Sequence, residues 1–99
     1  MRLSALLATA LAVLPLAATA QESAARSLAA SCAACHGSDG RSVTAEVVAL
    51  AGLPKQHIVS QMKAFRDGTR PATVMHQLAK GYTDAQVDLL AAYFAAQRK

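Results

Sequence analysis

Ser27-Leu28-Ala29-Ala30-Ser31-Cys32-Ala33-Ala34-Cys35-His36-Gly37 is the stretch on which the reading of this 99-residue chain turns. Leu28, Cys32 and Cys35 stand at i, i+4 and i+7, one face of a helix expected from about Ser23 to Cys35. Gly37-Ser38-Asp39-Gly40 should end it. Residues 41–53 read as irregular, with one short apolar run at Val47-Val48-Ala49-Leu50. Pro54 suits the first position of a second helix, where its missing N–H is not needed. Ile58, Met62 and Phe65 mark the inner face of that helix, and Asp67-Gly68 stops it. Residues 72–80 predict a short helix closed by Gly81. The last helix opens on Thr83-Asp84-Ala85-Gln86, a capping box, and carries Val87, Leu90, Ala91 and Phe94 on one face. Gln97-Arg98-Lys99 would place positive charge at its negative end. No segment alternates as a strand does, so the fold class is all-α.

Cys32-x-x-Cys35-His36 has the spacing of a c-type haem attachment site. Cysteines three apart on a helical turn lie on one side. Each can form a thioether to one of the two haem vinyl groups, and His36, directly after, can bind the iron from the proximal side. Other uses of the pair fit less well. A zinc site wants four ligands and the chain has no further cysteine. A thioredoxin-like pair wants a βαβ setting, and a disulfide here would close a trivial loop.

Residues 1–20 read as a cleaved secretory signal peptide. Met1-Arg2 is a positive start, Leu3 to Ala17 is nearly all apolar, and Ala18-Thr19-Ala20 is a small-x-small cleavage site. The run is short for a span of roughly 20 apolar residues, and Pro15 interrupts it. Residues 21–99 remain as one domain, expected in the periplasm without a membrane anchor. So small a chain has a thin core and usually needs a staple or a bound group. It has no Trp, and its aromatics are Phe65, Tyr82, Tyr93 and Phe94. Within residues 21–99, with Arg2 removed, nine Lys and Arg against six Asp and Glu leave +3, scattered along the chain, which is no nucleic-acid footprint.

For a second iron ligand the residues offer Met62, Met75, His57 and His76. Met62 is in register with Ile58 and Phe65 and reads as core. His57, beside Lys55 and Gln56, reads as a solvated surface residue. Met75 lies 39 residues past His36 and follows Arg70-Pro71-Ala72, whose proline limits flexibility. His76 adjoins it, so only one of the two is expected to face inward easily.

The stretch from Ala64 to Ala95 resembles the C-terminal half of class I cytochromes c. The marks are a Met in a loop, then Ala79, then Tyr82-Thr83-Asp84, then Leu90-Ala91-Ala92-Tyr93-Phe94. The resemblance implies that Met75 is the distal ligand. It also implies that the first and last helices cross with Leu28 and Phe94 near the crossing. Arg70-Pro71-Ala72-Thr73-Val74-Met75 and Ala79-Lys80-Gly81-Tyr82-Thr83-Asp84 resemble most the cytochrome subunits of flavocytochrome c sulfide dehydrogenases and the cytochrome c4 type. That similarity implies an electron carrier rather than an enzyme, with redox-protein partners and, by the first of the two, a sulfide-oxidising flavoprotein as donor. A freely diffusing carrier is the alternative, and a five-coordinate haem enzyme or gas sensor a more distant one. In such cytochromes a proline before the Leu-Ala-Gly segment offers its carbonyl to the proximal histidine. Val48 stands at that place here, before Leu50-Ala51-Gly52. The roles of Arg70 and Lys80, at the haem propionates or in solvent, stay open at this point.

Overall fold

The computed structural model describes residues 13–99. Most of the expected leader, residues 1–12, lies outside them. The described residues are helical and hold no strand. The helices are α1 (Val13–Ala30), α2 (Ala33–His36), α3 (Lys55–Asp67), α4 (Met75–Leu78) and α5 (Asp84–Ala95). Single 3-10 turns cover Ser38–Gly40 and Ala79–Gly81.

The expected first helix begins earlier than the sequence suggested and is broken at Ser31-Cys32. Two local bonds account for the break. Ser31 Oγ donates back to the Leu28 carbonyl at 3.3 Å, and the Cys32 amide donates to Ala29, three residues back, at 3.1 Å. Side-chain bonding of this kind competes with the helix ladder. The helix restarts at once, with the His36 amide on the Cys32 carbonyl at 2.9 Å. Residues 16–24 of α1 are exposed, and its packing begins at Ala25.

Pro54 sits one place before the expected position, as the cap of α3. Its carbonyl accepts from His57 and Ile58, so the missing N–H costs nothing. Ile58 and Met62 are buried, and Phe65 packs on the same cluster. Gly68 closes the helix with φ 78°, the left-handed cap that glycine adopts freely. The expected helix over 72–80 shrinks to α4 and the 3-10 turn after it.

At the start of α5 the capping box forms as read. Gln86 N–H donates to Thr83 Oγ1 at 3.1 Å, and Thr83 N–H donates to Gln86 Oε1 at 2.9 Å. Val87, Leu90, Ala91 and Phe94 are all buried. The basic end is a correction: α5 stops at Ala95, so Arg98 and Lys99 lie beyond its last turn. The Gln97 amide bonds Phe94, three residues back, and the Arg98 carbonyl is taken by Arg41 Nε at 2.9 Å. The chain has therefore turned away from the helix axis.

α1 packs on α5, and α5 on α3. Ala25 and Ala29 of α1 are buried and small enough to let the helices approach closely, while Leu28 is half-buried against the core cluster. Phe94, 1% exposed, fills the centre. Burying such a side chain contributes about 1.5–3 kcal/mol. Gly40 has to be glycine: its φ is 79°, and a Cβ there would stand 2.8 Å from the Phe94 ring and 2.9 Å from the Ala51 nitrogen. The Gly40 carbonyl also accepts from Leu50 and Ala51, which folds the irregular segment back onto the core.

Tyr93 Oη donates to Asp39 Oδ1 at 2.5 Å. That bond, then the Arg41 charge, holds the Asp39 carboxyl below its ordinary 3.8 against a desolvation effect of opposite sign. The same bond pushes the Tyr93 hydroxyl above its ordinary 10.0. A carboxyl lowered in the folded state stabilises above its unfolded pKa, and the contribution is lost as pH falls through the lowered value. A raised tyrosine stabilises below its unfolded pKa and loses that as pH rises through the raised value. Tyr93→Phe keeps the ring, which meets Phe94 edge-on at 5.4 Å. It should flatten the decline in melting temperature below about pH 4. The effect will be small because the pair is exposed. Thermal melts of both proteins across pH 2–10 check it; parallel curves would show that the bond contributes nothing.

Candidate haem site

α2 brings Cys32, at its cap, and Cys35 and His36, within it, onto one turn. Gly37 then lets the chain leave. Its φ and ψ are 83° and 165°, and a Cβ there would fall 2.1 Å from the Arg41 carbonyl oxygen. That conformation is essentially restricted to glycine. Cys32 is half-buried against the core, Cys35 is exposed, and both are free thiols. Burial pushes the Cys32 thiol above its ordinary 9.0, partly offset by a bond from Ser31. The expectation that Leu28, Cys32 and Cys35 share one face holds for the first two, which both pack on the core. The break at Ser31 takes Cys35 off that face.

His36 Nδ1 lies 2.7 Å from the Val48 carbonyl oxygen. With the carbonyl as acceptor, Nδ1 carries the proton and Nε2 keeps its lone pair. A neighbour of this kind fixes both tautomer and ring orientation for a metal-ligating histidine. The side chain at position 48 plays no part in the bond, so valine serves where similar cytochromes have proline.

Met75 opens α4, half-buried and packed on the core cluster, and Met62 is 9% exposed within that cluster, as read. His57 is exposed, also as read. His76 does not point clear of the protein: it too is half-buried, and its Nδ1 is a buried polar atom without a partner. Burial alone therefore does not choose between Met75 and His76. Two links went unread in the sequence. Ser31 Oγ and Tyr82 Oη lie 2.8 Å apart, tying the turn before Cys32 to the turn after α4. Arg70 bonds Gln61 and stacks on Phe65, so its guanidinium is engaged on α3. Lys80 is exposed.

Two observations fit a large flat apolar cofactor. Val48, Val74 and Leu78 are more than half exposed. They sit at the carbonyl that orients His36 and on either side of Met75. Large apolar side chains in water beside both candidate ligands are what a bound group would cover. The unpartnered nitrogen belongs to His76, the residue next to Met75. An open groove of about 700 Å³ between α1 and α5 includes none of Cys35, His36 or Met75. No helix among the described residues is long and apolar enough to cross a membrane.

The sequence pattern of the family described as Cytochrome c matches residues 21–97, and the chain belongs to that family. Residues 21–97 are thus a c-type cytochrome domain, which carries covalently bound haem c. Over 80 residues the chain is 45% identical to the thiosulfate dehydrogenase electron acceptor of Thiomonas intermedia, covering 80% of this chain and 37% of that protein. Over 73 residues it is 40% identical to the cytochrome subunit of sulfide dehydrogenase from Chlorobaculum tepidum, covering 74% of this chain and 66% of that protein. A solved cytochrome c4 structure from Acidithiobacillus ferrooxidans superposes with a TM-score of 0.63 at 42% identity, over 66% of this chain and 37% of that one. The chain thus spans between about a third and two thirds of the length of these relatives.

Proposed function

We propose that Cys32 and Cys35 carry the two thioether bonds and that His36 and Met75 are the axial ligands. The observation that carries this reading is the His36–Val48 bond, which orients one imidazole and leaves Nε2 as its ligating atom. Met75 completes the pair because a thioether sulfur needs neither a proton nor a hydrogen-bond partner, and Met75 packs with Phe65 on the apolar cluster. Haem supplies one-electron exchange at its iron, with His/Met ligation raising the potential. The protein's part is to hold the ligands, exclude water and leave an edge exposed.

We further propose that residues 1–20 are a cleaved leader and that the protein works in the periplasm. Exposed residues 16–24, with Leu16 at 72%, support a domain that needs nothing before position 21. The electron donor in this reading is a sulfide-oxidising flavoprotein on which the cytochrome docks as a subunit, supported by the Chlorobaculum tepidum relative. The Thiomonas intermedia relative favours a second reading, a thiosulfate-oxidising donor. Either would meet the exposed haem edge and its surroundings near Met75 and Val74, with nearby charge steering encounter more than setting affinity.

Untagged protein purified from its native host tests both. Co-elution at constant stoichiometry with a flavin-containing partner, and haem reduction on adding sulfide, is the expected result. Reduction by thiosulfate alone, through a partner without flavin, would transfer the assignment to the second reading. A protein that elutes alone and stays oxidised with both would be a freely diffusing carrier.

A further inference from the structure

The geometry points to Arg70 as a positioning residue for the distal ligand: it clamps the segment that delivers Met75 to α3. The inference rests on Met75 as ligand. Only Pro71 to Val74 separate the two residues. The Arg70 guanidinium carbon lies 4.7 Å from the centroid of the Phe65 ring, and Nη1 donates to Gln61 Oε1. The Arg70 amide donates to the Ala64 carbonyl at 3.2 Å. The Thr69 amide at 3.0 Å and hydroxyl at 3.3 Å converge on the same oxygen. The last turns of α3, from Gln61 to Phe65, therefore hold both the backbone and the side chain of the segment's first residues.

The two kinds of contact do different things. The amide bonds fix where the segment starts. A planar guanidinium laid on a ring and bonded at its edge fixes the direction in which Arg70 leaves α3. Pro71 passes that direction on: its ring locks its own φ and restricts Arg70 to extended backbone. α4 begins four residues later and packs on α3, with Met75 on the same cluster as Phe65. A shift at Arg70 is therefore passed to the Met75 sulfur through a short segment that contains a proline. A purely solvated arginine would have no such leverage.

The test uses the ferric, haem-loaded protein and reads the sulfur–iron bond apart from the fold. The readouts are the weak charge-transfer band near the red end of the spectrum, the rate of cyanide binding, and the helical circular dichroism. Arg70→Ala should speed cyanide binding roughly tenfold. The band should also fade at a temperature below that at which helix is lost. Arg70→Lys keeps the charge but not the planar fork, so it should behave like Arg70→Ala, and it serves alone if the alanine variant fails to load haem. Adding Phe65→Leu to Arg70→Ala should change cyanide binding little further, because both remove the same contact. Lys63→Ala, an exposed cation on the same helix, should change nothing. An Arg70→Ala protein with native cyanide kinetics and a native band, or full rescue by lysine, would overturn the clamp. Met75→Ala separates the two levels: if that variant keeps the band, the ligand assignment falls and the clamp with it. If it loses the band while Arg70→Ala does not, only the clamp falls.

Discussion

Met75→Ala should abolish the red-end absorption band and open the iron to cyanide and carbon monoxide, while Met62→Ala leaves both properties unchanged. The two residues are chemically identical and differ in place. Met62 is 9% exposed within α3, facing the cluster formed with Ile58, Val87 and Leu90. Its truncation should cost about 2–5 kcal/mol of stability, as large-to-small changes in cores do. Met75 is only half-buried, so its truncation removes less packing and costs stability near the lower end of that range, about 2 kcal/mol. The expected pattern is crossed: the larger loss of melting temperature for Met62→Ala, the loss of the band for Met75→Ala. Visible spectra and thermal melts on the same samples decide it. If the parent ferric protein lacked the band, and His76→Ala rather than Met75→Ala opened the iron to cyanide, the neighbouring imidazole would be the ligand.

Replacing Cys32 and Cys35 together by alanine should yield no stable fold. Of the ten buried apolar residues among those described, five are alanines, namely Ala25, Ala29, Ala51, Ala79 and Ala91. At about 25 cal/mol per Å² buried, alanine contributes little. The larger residues, Ile58, Met62, Val87, Leu90 and Phe94, make a core too thin to offset the entropy of ordering a chain of this size. Val48, Val74 and Leu78 stay in water until something covers them. Without thioethers nothing holds the covering group in place. Circular dichroism and yield of the double variant, beside Cys35→Ala alone, measure this. A cooperative melt in haem-free protein would show that the polypeptide suffices.

Much of the helix pattern was legible because it rests on local chemistry. The Thr83–Gln86 box, the Gly68 cap and the Ile58-Met62-Phe65 face each involve residues a few positions apart. The break at Ser31 and the early end of α5 were not legible. Both arise from carbonyls and hydroxyls with more than one possible partner: Ser31 bonds back to Leu28 and also meets Tyr82, and the Arg98 carbonyl is taken by Arg41, far along the chain. The attachment motif could be read directly, because its chemistry lies within five residues. The carbonyl beside His36 could be placed only by analogy, and the structure supplies it from Val48, twelve residues on. Arg70 showed no signal at all, since a stacked arginine and a solvated one look alike in a sequence.

The pairing of α1 with α5 also bears on how the molecule comes into being. The Phe94 ring, against which Gly40 packs, lies near the far end of the domain, and the Phe94 carbonyl receives the Gly52 amide. Until the ribosome has released that final helix, the earlier segments have nothing to close on. Contacts of such long sequence separation form late and slowly. The domain of a nascent chain of this kind stays open until α5 has emerged. Until then Cys32, which packs on the cluster that α5 completes, stays open to its cofactor.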